Sequence, residues 1–412
     1  MSSNSLMALI SVPMAMLVTF SRITSTTTGT LNSPLTLGIQ RRPSVRRRLA
    51  SGAATRRCAA AFRAALASGW LTTFADRDRP DFVPAVGTHF NLVGTNPDFI
   101  YAAASIDGSG SYLITGERGE CLFLQMDIAA GGLGVMDALG PSLGTIDFDD
   151  LALDGAGRFS LMLSAEKPAH WQGDWHPLDP TASSLSLRQA SYDWGVEREA
   201  RIAIERTDLA HAPRRWSEAE IAERLMALCA FPKRLAGMAM GFIAGQQQKG
   251  LWNAFEHDDW AGRGGVEGQH YYQGLFRLEP DCALVLETDL PETVRYWNVQ
   301  LNDMRWNTLD WMNHQCSLNG GQASIDADGK FRAVIAMEDP GIANWLDPAG
   351  HTQGSIMLRW TGASSGPAPT LSCVAAGDVL EQLGPGTRRV TTEERQQSLR
   401  ARRRAVQMRR RW

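Results

Sequence analysis

The chain has 412 residues, 44% hydrophobic and 21% charged, enough for two or three domains with real cores. Its net charge of −3 conceals an asymmetry: residues 1–75 hold nine Arg and no Asp or Glu, while the remainder sets 32 basic residues against 44 acidic ones. A body at −12 argues against nucleic acid as a partner.

The first segment, "SLMALISVPMAMLVTF", is an apolar run of signal-peptide length, but no positive charge precedes it and no clean cleavage site follows. It contains Pro13 and is too short to span a bilayer. The Arg-rich, acid-free stretch after it resembles a transit peptide or an over-extended start. Residues 1–55 are therefore expected to be a disordered or non-native leader that packs against nothing. A short helix is expected over 56–80.

Residues 81–208 read as a first β-sandwich. In "RFSLMLS", Phe159, Leu161 and Leu163 recur every second residue. The turn "DGAG" before them supplies the glycine that a tight reversal needs. Residues 209–262 form a helical connector. Ser217 and Glu220 make a capping box, and Ile221, Leu225 and Leu228 follow at helical spacing. Pro232 interrupts the run, which predicts two helices over about 217–247. Residues 263–380 read as a second β-sandwich: in "SIMLRW", Ile356, Leu358 and Trp360 alternate with polar or flexible neighbours. An Arg-rich helix capped by Thr391 with Glu394 closes the chain within 381–412, its arginines expected to lie on a solvated helix end.

The two sandwiches repeat one another. "DGAGRFSLMLSAEKP" at 154–168 aligns without gaps on "DADGKFRAVIAMEDP" at 326–340, a shift of 172 residues. Both copies continue with a Trp, then Leu-Asp-Pro, then Ser-x-x-Leu-Arg. Blocks in one order at a near-constant offset indicate duplication. The fold class that follows is mainly β with a helical insert (α+β): two tandem jelly-roll-like antiparallel β-sandwiches joined by a helical segment. No βαβ alternation appears, which argues against a parallel nucleotide-binding sheet.

"RYWNVQL", "SLN" ahead of a D-x-D-G turn, and "EDPGIANWLDPAGHTQG" resemble the conserved block of the bacterial domain-of-unknown-function family 1214 over roughly 263–362. "NPDFIYAAASIDGSGSYLITGERG" and "WHPLDPTASSLSLRQASYDW" are similar to the amino-terminal half of longer members. The resemblance implies jelly-roll-like β domains with a helical insert. It implies no reaction.

The six cysteines are far apart and form no C-x-x-C pair, and no N-x-[ST] sequon occurs. Both features predict scattered thiols in a reducing, cytoplasmic setting.

Tryptophan carries the clearest functional signal. Five of the 13 lie between 297 and 360, close to a run of amides. Flat rings beside side-chain amides stack a ring compound and bond its edge. The expected ligand-binding residues are Trp297, Asn298, Gln300, Trp306, Asn344, Trp345 and Arg359, with Trp360 in the core. The expected function is binding of a small ring-containing or carbohydrate-like molecule. The alternative is a cofactor-independent hydrolase or lyase using Asp347 and His351 as an acid/base pair, helped by Glu338 and Arg359, with His314 or His270 as further candidates. Asp347 has a bland counterpart: the repeated Leu-Asp-Pro, with Asp179 in the first copy, is a turn in which Asp accepts from the backbone. "GASSG" at 362–366 matches a nucleophile motif, but Pro367 and Pro369 follow where a helix is needed, so Ser364 is a weak candidate. No metal, no cofactor and no stable membrane insertion are expected, and an oligomer is possible.

Overall fold

A computed structural model of the chain describes residues 61–137, 140–209, 215–260 and 268–409. The expected leader at 1–55 lies outside them. Residues 61–73 are helical.

The first half holds β1 (Val83–Pro84), β2 (Phe99–Ser105), β3 (Tyr112–Glu117), β4 (Phe123–Ala129) and β5 (Ser142–Asp147). It continues with β6 (Arg158–Ser164), β7 (Asp174–Pro177), β8 (Ser184–Ala190) and β9 (Arg201–Arg206). A five-stranded sheet runs β1-β2-β8-β4-β5, and a four-stranded sheet runs β7-β6-β3-β9. Between them lies a core that includes Met126, Ile128 and Leu185 from one sheet and Tyr112, Ile114 and Leu161 from the other.

The second half repeats this plan. It holds β10 (Ala254–Asp258), β11 (Gln269–Arg277), β12 (Cys282–Thr288), β13 (Val294–Asn302) and β14 (Ser317–Asn319). Then come β15 (Phe331–Ile335), β16 (Trp345–Leu346), β17 (Gln353–Ala363) and β18 (Thr370–Ala375). Its sheets run β10-β11-β17-β13-β14 and β16-β15-β12-β18. Adding nine to each strand of the first half gives the second, strand for strand. The pairing β6–β7 is parallel and so is β15–β16. Phe159 lies across from Gly116, and Phe331 lies across from Thr288, both 172 residues further on. The chain is thus a pair of tandem β-sandwiches, mainly β, built on one topology used twice.

The shared turns show why the offset holds. Gly157 donates its N–H to the Asp154 carbonyl, and Gly329 does the same to Asp326, each at 2.9 Å. Their φ angles of 73° and 82° favour glycine at both places.

The connector is one helix, Glu218–Gln248, and not two. Its capping box forms as expected. Pro232 costs a hydrogen bond, about 3 kcal/mol in a helix interior. Phe231, Leu235, Ala239 and Ile243, four apart, are all buried. Phe231, Leu235 and Ile243 each contribute roughly 1.5–3 kcal/mol when fully buried, so the stripe outweighs the break. Phe231 and Leu235 pack with Val86 and Leu92, whereas Ala239 and Ile243 pack with Leu275, Trp306 and Met357. The helix therefore clamps both halves. It is also the helix, among the described residues, that is long and apolar enough to cross a membrane.

Two further expectations are corrected. Cys282 and Cys373 are joined by a disulfide across 91 residues of sequence, because β12 and β18 are neighbours in their sheet. Spacing along the chain does not report sheet order. The C-terminal helix Thr392–Met408 has its capping box, but three arginines of this terminal segment are not solvated. Arg395 and Arg409 are buried and Arg402 is half-buried, because spacing of seven puts all three on the face that meets the sheets.

Candidate functional site

The two five-stranded sheets face each other, and this explains the side chains between them. Along "RYWNVQLN" in β13, Trp297, Val299 and Leu301 enter the core of the second sandwich. Asn298, Gln300 and Asn302 point the other way, yet none is exposed to solvent, because the first half covers them. Polar groups buried this deeply need partners. Asn298 Nδ2 donates to Asn96 Oδ1 at 3.0 Å, and Gln300 Nε2 donates to the Thr95 carbonyl at 3.2 Å. Tyr296 Oη donates to Asp98 Oδ2 at 2.7 Å, while Asn319 and Trp194 donate to Asp98 Oδ1. Burial raises the Asp98 carboxyl above its ordinary range, against the hydrogen bonds from Tyr296 and Asn319. The "NPDF" segment of the first half is thus plugged into the second.

Beside this network lies a cavity of about 220 Å³ between the two halves. Tyr101, Arg188 and Asp127 line it from the first half, and Tyr271, Trp306 and Arg359 from the second. Trp260 and Met238 of the connector close one side. Trp306 and Phe242 stack at 3.9 Å between ring centroids, and Trp260 lies 5.8 Å from Trp306 in near-parallel orientation. Trp306 holds a φ of +58°, unusual for a bulky residue. Its Nε1 is buried without a hydrogen-bond partner. Gly94, with φ +65°, allows the close approach: a Cβ there would stand 2.7 Å from that nitrogen.

The charged lining is built by the duplication. Tyr101 lies across from Arg188, and Tyr271 across from Arg359. Burial raises the Tyr101 phenol, opposed by the nearby positive charges of Arg359 and Arg188. The Asp127 carboxylate accepts from Ser142 Oγ at 2.6 Å and Thr145 Oγ1 at 3.2 Å.

Of the seven side chains singled out for ligand binding, Trp306 and Arg359 line this cavity. Asn298 and Gln300 stand behind them, accepting from Arg359 Nη1 at 3.1 and 2.7 Å. Trp297 is a core residue, packed edge-on against Phe331. Asn344 bonds the backbone at Ser324 and Arg332, and Trp345 Nε1 donates to the Ala336 carbonyl at 2.9 Å. Trp297 lies on the far side of β13, Trp345 in β16 of the other sheet, and Asn344 in the turn before it. Sequence reasoning missed Tyr101, Arg188, Trp260 and Tyr271. The repeated Leu-Arg at 187–188 and 358–359 was the signal for Arg188.

Asp347 sits elsewhere. Its Oδ1 accepts the Ala349 N–H at 2.7 Å, and its Oδ2 lies 2.7 Å from His314 Nδ1. The His351 N–H donates to the Pro348 carbonyl at 2.9 Å within the same turn. Asp179 makes the equivalent bond to the Thr181 N–H at 2.7 Å. Ser364 Oγ accepts the Thr293 N–H at 3.1 Å. His270 pairs with His257, ring nitrogens 3.0 Å apart.

No curated protein matches the sequence. The structure is similar to the crystal structure of an uncharacterized protein from Burkholderia cenocepacia, with a TM-score of 0.74 and 28% identity over 78% of this chain and 89% of that one. A second likeness, to the VPA0106 protein from Vibrio parahaemolyticus, has a TM-score of 0.45 and 12% identity over 76% of this chain and 97% of that one. Residues 276–365, within the second sandwich, match the family model described as "Protein of unknown function (DUF1214)".

Proposed function

We propose that the protein binds a small, planar ring-containing molecule in the cavity between its two sandwiches. One observation carries this reading: Trp306, Trp260 and Tyr271 present aromatic surface to a partly open space that also receives two arginines. Stacking walls with a few convergent polar groups suit a ring with a polar edge. The size is restrictive. A space of about 220 Å³ is small for a ligand pocket, which suits a compound of one or two fused rings.

The test is mass spectrometry of small molecules released by denaturing the purified full chain. Wild type is expected to release a ring compound that Ala103→Phe, which fills the cavity from β2, does not retain. Equal recovery from both proteins would place the compound outside the cavity and sink the proposal.

A further inference from the structure

We infer that the bound ring compound is an anion, a planar aromatic carboxylate, with Arg359 as its charge partner. The inference rests on the ring-binding reading above and adds the ligand's charge and class.

Arg359 is 5% exposed and lines the cavity. A guanidinium is always charged, and burying it without an anion is costly. The other three arginines that are buried among the described residues meet the cost directly: Arg206 pairs with Asp78 and Asp208, Arg395 with Asp339, and Arg409 with Glu199. Arg359 meets no carboxylate among the described residues. Its acceptors are Asn298 Oδ1 at 3.1 Å, Gln300 Oε1 at 2.7 Å and the Gly94 carbonyl at 3.3 Å. All three are neutral. They hold the guanidinium in place without pairing its charge to a carboxylate among the described residues.

These bonds use three of the five N–H donors that a guanidinium carries. Nε–H is among those left. Two remaining donors on a planar fork suit the two oxygens of one carboxylate. The Tyr271 ring beneath, 5.7 Å from the guanidinium carbon, supplies a weak cation–π contact and no formal charge.

The rest of the lining sets the amount of charge. Among the described lining residues Asp127 brings a negative charge into the same cavity. A singly charged carboxylate at Arg359 is therefore better tolerated than a phosphate dianion, which would repel Asp127 more strongly. The aromatic wall and the unpartnered Trp306 Nε1 then take the ring and a polar atom on its rim.

Isothermal titration of the full chain separates charge from shape. The probes are indole-3-carboxylate and indole-3-carboxamide, which share ring and outline, with inorganic phosphate as a third arm. The carboxylate is expected to bind about tenfold tighter than the amide, as a charge-assisted pair implies. Arg359→Gln should bring that ratio near one. If that variant fails to fold, Arg188→Gln, on the opposite wall, should reduce the ratio. Equal binding of the two indoles by wild type overturns the charge assignment and leaves ring binding standing. Phosphate displacing the carboxylate overturns it too, making the site a general oxyanion pocket. Indole binding that survives Ala103→Phe unchanged instead removes the ring site itself.

Discussion

Arg188 and Arg359 hold the same place in the two halves, each directly across a strand pair from a tyrosine, Tyr101 or Tyr271. The strand on their other side has diverged. Gln125 lies across from Arg188 where Asn298 lies across from Arg359, and two residues on stands Asp127 in one half and Gln300 in the other. Arg188 thus has a carboxylate beside it in the cavity lining, where Arg359 is backed by amides. Duplication supplied two similar faces, and divergence made one of them electropositive.

Gly94 is the position most sensitive to substitution at this junction. Its N–H donates to the Trp306 carbonyl, its carbonyl accepts from Arg359 and Gln300, and its φ is +65°. Gly94→Ala adds both left-handed strain and a contact of 2.7 Å with Trp306 Nε1. A loss of about 1–3 kcal/mol in chemical denaturation is expected, together with a change in Trp fluorescence. A stability equal to wild type would mean that the 94–306 approach is loose in solution.

Much of this was legible in the sequence, and the limits have physical causes. The alternation of Phe159, Leu161 and Leu163 announces a strand because one face is buried. The 172-residue offset reports duplication because the turns at Gly157 and Gly329 demand glycine. The site was only half legible. Trp297, Asn298 and Gln300 are adjacent in sequence, yet strand pleating sends the first into the core and the other two toward the opposite half. Trp345 and Trp306 carry the same local cue, an Asn neighbour. Only the packing of the first half onto the second distinguishes them. Tyr101 and Tyr271 are 170 residues apart and become neighbours through a contact between sheets that no local pattern encodes.

An ion pair between the halves should make stability depend on acid. Asp147 sits at the end of β5 and hydrogen-bonds Arg295 in β13. Burial pushes its carboxyl up, but the hydrogen bond and charge of Arg295 outweigh this, and the net shift is downward. A lowered carboxylate contributes stability above its unfolded value, 3.8, and loses it as pH falls through the lower folded value. Asp147→Asn should therefore be less stable than wild type at neutral pH and converge with it in strong acid. Urea midpoints from neutral pH to about pH 2 test this. A gap that persists or widens on acidification contradicts the assignment.

The C-terminal helix distinguishes its arginines by face. Arg402 donates to the Trp311 carbonyl and Ser317 Oγ, both at 2.6 Å, and stacks over Trp194 at 4.5 Å. Arg403, one position on, is exposed. Arg402→Ala strands those acceptors and removes the stack, with an expected cost of about 1–3 kcal/mol. Arg403→Ala should stay within about 0.5 kcal/mol of wild type. Equal effects of the two in thermal denaturation would mean that the helix does not dock as described.

The repeated Leu-Asp-Pro turn provides the last test, because Asp347 has two partners that substitutions can separate. Oδ1 serves the turn by accepting the Ala349 N–H, and Oδ2 meets His314. Asn keeps an acceptor for the turn and cannot carry the charge, whereas Ala removes both. If the turn dominates, Asp347→Ala costs about 1–3 kcal/mol and Asp347→Asn retains most of the stability. Asp179, exposed and without a histidine partner, should show the same order with a smaller loss. His314→Gln should then be nearly neutral. If Asp347→Asn instead falls as far as Asp347→Ala, and His314→Gln falls with it, the Asp347–His314 pair holds this loop and the shared turn is incidental.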